Sequence, residues 1–192
     1  MERMSSNKKG VLMNAYTMNV QPLFASSVFS ILPNCEVYQV LNYDYHDPEA
    51  IYKGLLEDEK AFQHEVKKIR LNMTEFLAAE KVYINDHRVE QKILHVDIGL
   101  RGSAHVPYFQ WVIHFQGPLC ADENSLKSDV EEEIAEYDIE VLYLFPAGTK
   151  IKAVQTPMEY EIRDSLLLVW ARKGDKVGGH EAVLFQFPSA LE

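Results

Sequence analysis

Beyond residue 80 the chain changes rhythm, and that change restricts its fold more than any other feature. Apolar and polar residues alternate, and turn-forming residues recur about every eight to twelve positions. Period two places alternate side chains on opposite faces of a strand and scatters them around a helix, so this half must build many short antiparallel strands. Tyr108 to Gln116 is the clearest case, with Phe109, Trp111, Ile113 and Phe115 on one side and Gln110, Val112 and His114 on the other. Val82-Tyr83-Ile84, the turn Asn85-Asp86-His87 and Arg88-Val89 read as a hairpin. Ile93 to Leu100 follows with Leu94, Val96, Ile98 and Leu100 inward, and further strands are expected at Ile139 to Phe145, Lys150 to Gln155, Glu159 to Arg163, Leu166 to Ala171 and about Glu181 to Phe187. Gly178-Gly179 within the last stretch suits a bulge.

The first half follows another period. A strand at Glu36 to Tyr45 puts Val37, Leu41, Tyr43 and Tyr45 on one face with Gln39 between them. Asp47-Pro48-Glu49 then carries the signals of a helix start, namely an acceptor for orphan N–H groups, a preset φ and a favourable charge at the positive dipole end. Ile51, Leu55, Phe62, Val66, Ile69 and Met73 form one stripe, so a helix is expected from Pro48 to about Lys68, with a continuation to Ala79. A second, short helix is expected where Ser128 and Glu131 make a capping box ahead of Val130, Ile134 and Tyr137.

The expected class is α+β. About eight strands make an antiparallel β-sandwich or strongly bent sheet, beside one long helix and one short acidic helix. The chain of 192 residues, 47% hydrophobic and 25% charged, is read as a single domain over 1–192, softly divided into a strand–helix part (1–80) and a β-rich part (81–188). That length buries a core without covalent staples. Cys35 and Cys120 stand in no C-x-x-C setting and are read as reduced, idle thiols.

Charge is uneven. The formal total is −10, yet nine acids and a single lysine fall between Ala121 and Glu140, which leaves the remainder close to neutral. On a helix, Asp129, Glu132, Glu133 and Glu136 would share a face able to dock a basic partner or a divalent cation. The basic clusters Lys67-Lys68-Arg70 and Arg172-Lys173-Lys176 are short and lack interleaved aromatics, so nucleic acid is not expected as a partner. The semi-apolar run Val20 to Leu32 is interrupted by Gln, Pro and Ser and lies far from Lys8-Lys9, which argues against a targeting segment. No run is long enough for a membrane span, so a cytoplasmic location is expected and the sequon at Asn72 is idle. Leu191-Glu192 is assigned no role.

No motif identifies a reaction. His95 and Asp97 would point the same way on a strand, as two metal ligands do, with His114 or His180 as a third. Seven His among 29 acids predict about one H-x-[DE] pair by chance, and the sequence holds one. No metal and no cofactor is predicted. His105, near Ser103 and Arg101, lacks the context of an activated nucleophile. The reading that follows is a non-catalytic binding or assembly module that acts through a β-rich surface, with a protein partner or with itself, and Trp111, Tyr108 and His180 are candidate contacts. The alternative is a small-molecule-binding protein or metal-dependent enzyme with a cavity lined by His95, Asp97, His114 and Tyr108.

Overall fold

Residues 19–188 are described by the structure, a computed structural model. The elements run β1 (Gln21–Ile31), β2 (Glu36–His46), α1 (Ile51–Glu57), α2 (Glu59–Ala79), β3 (Lys81–Ile84), β4 (His87–Arg88), β5 (Lys92–Leu100), β6 (Pro107–Gln116), β7 (Asn124–Ile134), β8 (Asp138–Leu144), β9 (Lys150–Gln155), β10 (Glu159–Arg163), β11 (Leu166–Ala171) and β12 (Lys176–Gln186). A seven-stranded sheet has the order β10-β11-β8-β1-β2-β6-β5, and a five-stranded sheet the order β4-β3-β7-β12-β9. All pairings are antiparallel except β1 with β8. The architecture is therefore mostly β, with two helices, in the α+β class. Lys8-Lys9 and Leu191-Glu192 lie outside the described residues.

Alternation sets the inner face. Phe109, Trp111, Ile113 and Phe115 of β6 are all buried, as the pattern demands, and each contributes roughly 1.5–3 kcal/mol by leaving water. Ile69 and Met73 of α2 are buried in the same core, and α2 lies along β5, where Arg70 Nη1 donates to the Ile93 carbonyl at 3.0 Å. Tyr52 of α1 meets the Phe109 ring edge-on at 5.2 Å. Val82, Ile84, Val183 and Phe185 of the smaller sheet join the same cluster.

The structure departs from the sequence expectations at several places. Val20 to Leu32, to which the sequence pattern assigns no element, supplies β1, which sits between β2 and β8 and introduces the parallel pair. The first helix is broken rather than continuous. Ala50 adopts φ 52°, so the helix begins at Ile51 instead of Pro48, although the Asp47 carboxylate still accepts from Tyr52 N at 2.9 Å. Asp58 then accepts from Lys60 N and Ala61 N and starts α2, which continues to Ala79.

The acidic helix does not form. Ser128 to Ile134 belongs to β7, which pairs with β3 on one side and β12 on the other, and these long-range ladders override a local capping signal. In β5 a register shift between Ile93 and His95 turns Leu94 outward, leaving it 53% exposed, while Val96 and Ile98 stay buried. The bulge at the glycine pair is present, with the register shifting between Val177 and Gly179; β12 begins earlier than expected, at Lys176. Gly178 has φ 78°, and a Cβ there would lie 2.4 Å from the Glu131 carbonyl oxygen, so this position requires glycine. Two β7 residues oppose one of β12 here, and the alternation inverts: Ile134 is 54% exposed and Glu133 half-buried.

Candidate functional site

The inner faces of the two sheets do not close on each other everywhere. Between β1, β2 and β8 on one side and β7, β12 and β9 on the other lies a cavity of about 210 Å³. The larger sheet lines it with Ser27, Phe29, Gln39, Leu41, Tyr43 and Tyr143, the smaller with Val82, Leu126, Ser128, Val154, Glu181 and Val183. Phe76, Leu77 and Glu80 from the end of α2 border it as well, and Phe76 is 52% exposed, so the cavity meets solvent there.

The walls follow from the register. Ser27 pairs with Leu41 on β2 and with Val141 on β8, and Phe29 pairs with Gln39 and Tyr143, so all of these share the inner face. Phe29 and Tyr143 stack at 4.8 Å between ring centroids. Across the gap, Ser128 stands opposite Val82 on β3 and Glu181 on β12, and Val183 opposite Leu126 and Val154. Serines where neighbouring positions carry larger apolar residues leave the space unfilled.

Polar groups reach the cavity from several sides. Gln39 is buried, and its amide donates to Ser27 Oγ at 3.0 Å. Thr156 donates to Glu181 Oε1 at 3.2 Å, and Gln91 donates to Glu80 Oε2 at 3.3 Å. Burial pushes the Glu181 carboxyl up to about 7, opposed by the Thr156 hydrogen bond and reinforced by the charge of Glu80. Burial likewise raises Glu80, with Gln91 opposing. Tyr143 and Tyr43 are both shifted upward by burial, and Glu80 adds to each shift.

The residues singled out from the sequence lie elsewhere. His95, Asp97, Tyr108 and His114 alternate with the buried positions of β5 and β6, which puts them on the outer face of the larger sheet, and none lines the cavity. His95 is exposed. Tyr108 donates to Asp97 Oδ2 at 3.2 Å, and its ring carries the Arg101 guanidinium at 4.3 Å. His114 Nε2 lies 2.9 Å from Glu36 Oε1, and His180 Nδ1 lies 2.7 Å from Asp129 Oδ1 on the smaller sheet. His105 Nδ1 contacts the Asp47 carbonyl oxygen at 3.1 Å and helps seat the chain entering α1. Trp111 is wholly buried, a core residue and not a contact surface. Among the described residues, no three His, Cys, Asp or Glu side chains gather as a metal ion would require.

The acidic run is dispersed. Past the bulge Glu132 is exposed and Glu133 half-buried, so these two do not share the face that helical spacing would give them, and Glu136 lies beyond the end of β7. Asp138 accepts from Arg172 and from Lys173 N, both at 2.9 Å, which holds its carboxyl below the usual range. The acidic helix expected to carry a surface for a basic partner or divalent cation is thus absent among the described residues.

Sequence reasoning missed Ser27, Ser128 and Glu181. A signal existed for such positions: a polar residue on the apolar side of a period-two strand. Gln39, between Val37 and Leu41, showed it openly. The two thiols are also less separate than their spacing suggests, since Cys35 Sγ (3.4 Å) and Cys120 N (2.9 Å) both donate to Asn124 Oδ1. Burial, reinforced by Cys120, pushes the Cys35 thiol up to about 11.

No protein-family model and no curated protein matches the sequence. Among solved structures, yeast LTA4 hydrolase in complex with bestatin aligns over 96% of this chain at 6% identity with a TM-score of 0.38. The chain spans 31% of that structure's length. The folded domain of LppM from Mycobacterium tuberculosis aligns over 91% of this chain and 95% of its own at 10% identity, with a TM-score of 0.40. Likenesses this loose establish neither a shared fold nor a shared activity. Among the described residues, no helix is long and apolar enough to cross a membrane.

Proposed function

We propose that this protein binds a small, largely apolar molecule in the space between its two sheets. The observation that carries this reading is the cavity of about 210 Å³, walled by apolar side chains from both sheets and bordered by polar groups. An apolar cavity of roughly 150 Å³ holds benzene, so this volume suits a ligand of about eight to ten non-hydrogen atoms. In this reading the two sheets pack as a β-sandwich with an incompletely filled interior, and the protein is non-catalytic.

The test is calorimetric titration of the full chain with n-octanol, repeated on Ser128→Phe, whose ring would occupy the gap opposite Val82. Saturable binding at one site per chain, lost in a variant that keeps the native melting transition, is the expected result. A wild-type protein that takes up no n-octanol, or a variant that binds equally well, would overturn the proposal.

Self-association through a β-rich surface is a second reading, favoured by the edge strand β10. Every β10 residue is exposed, and Tyr160 and Ile162 are 47% and 43% uncovered. Antiparallel pairing of two copies about Glu161 would set Glu159 opposite Arg163 at both ends and Tyr160 opposite Ile162. Light scattering across a concentration series should show a dimer that Ile162→Lys abolishes. A strict monomer at every concentration would eliminate this reading.

A further inference from the structure

The charged side chains that face the cavity are all acidic, although nothing in the apolar walls requires acids. Glu80 reaches it from the end of α2 and Glu181 from the inner face of β12. Glu133, turned to the half-buried side by the β7 bulge, acts electrostatically on Tyr43 from beyond the cavity's edge. The basic residue bordering the cavity, Lys127, points away from it, with Nζ 2.6 Å from Asp86 Oδ1 in the β3–β4 turn. Gln39, 9% exposed, also lines the cavity, with its amide donating to Ser27 Oγ.

From this arrangement, and resting on the cavity reading above, we propose that the natural guest is an apolar amine whose ammonium group meets Glu80 and Glu181. A desolvated carboxylate is costly without a positive or donating partner, and among the described residues each acid has one neutral side-chain donor, Thr156 for Glu181 and Gln91 for Glu80. An ammonium brings charge and three donors, enough for the two carboxyls and for a carbonyl such as that of Gln39. A carboxylate ligand would add a negative charge to the same space. An alcohol would fill the apolar volume and leave the acids uncompensated.

The experiment compares n-octylamine, n-octanol and n-octanoate by calorimetry on the full chain at pH 8, with Glu181→Gln and Glu80→Gln alongside. The amine should bind about tenfold tighter than the alcohol, the octanoate weakest, and the amine's advantage should shrink to about twofold or less in either variant. Should Glu181→Gln fail to fold, Glu80→Gln decides the matter. Equal affinity for amine and alcohol, or a preference for octanoate, would overturn the amine assignment while leaving the cavity reading standing. An amine preference untouched in both variants would overturn the role of the two acids. Failure of all three probes to bind would overturn the cavity reading and this proposal together.

Discussion

The two ends of the space above the larger sheet are built on opposite plans. Over β5 and β6 the inner face meets α1 and α2, and Phe109, Trp111, Ile113, Ile69 and Met73 are at most 2% exposed. Over β1 and β8 the same sheet faces β7 and β12, and there serines, glutamines and glutamates border an open volume. The backbone distinguishes the ends by their cover, helices over one and strands over the other, and by the parallel β1–β8 pair at the open end. Side-chain volume and polarity at the inward positions differ as well. A core fills wherever it can, because voids forfeit dispersion contacts, so an end left open and lined with polar groups suggests a second occupant.

Breaking the packed end should have the largest effect. Trp111→Ala should destabilise by about 3–5 kcal/mol, read as a lowered urea midpoint, because the surrounding aromatics cannot collapse into the gap. A loss under about 1 kcal/mol would mean that the ends are not packed differently.

The open end is sharpened next by pH. Glu181 titrates near 7 in the fold against 4.5 as its ordinary value, so across that interval the folded chain holds a proton that the unfolded chain has released. The stabilisation is fully present below pH 4.5, is lost as pH rises to about 7, and stays lost above. Glu181→Gln should therefore flatten the pH dependence and raise stability at pH 8 by about 2–3 kcal/mol, with little change at pH 4.5. Paired urea titrations at the two pH values measure this, and an equal change at both would contradict it.

A smaller effect is expected from partial filling. Ser128→Val adds apolar volume to an existing gap and should change stability by less than about 1 kcal/mol in either direction, whereas the same enlargement in a packed core is costly. Smallest of all should be His180→Ala. The pair with Asp129 is solvent-exposed on both sides, so its removal should shift the melting midpoint hardly at all, within about 0.5 kcal/mol. A large loss there would restore His180 as a functional candidate.

Legibility in the sequence followed the same division. β6 could be read directly because four large apolar residues alternate without interruption. The stripe of α2 was equally plain, but the break at Asp58 was not, since Asp58 lies among acids and lysines that a helix surface tolerates. β1 escaped because its inward positions include Ala25 and Ser27, too small to register as an apolar alternation. Ser128 to Ile134 misled because a capping box is a local signal, whereas the ladders to β3 and β12 that decide its conformation come from Val82 and His180, far along the chain. The cavity was hidden for a related reason: Gln39, Ser128 and Glu181 belong to three strands, and only the register brings them to one space. Histidines drew attention by their chemistry, yet on β5 and β6 they fall on the face opposite the core.

The most direct test follows methyl resonances of the full chain by NMR during titration with n-octanol. Saturable shifts at cavity-lining methyls such as Leu41, Val82, Leu126, Val141, Val154 and Val183, with the exposed Leu94, Leu119 and Ile134 unmoved, are the predicted result. Shifts centred on those exposed residues, or no saturable shift at all, would contradict a binding cavity between the sheets.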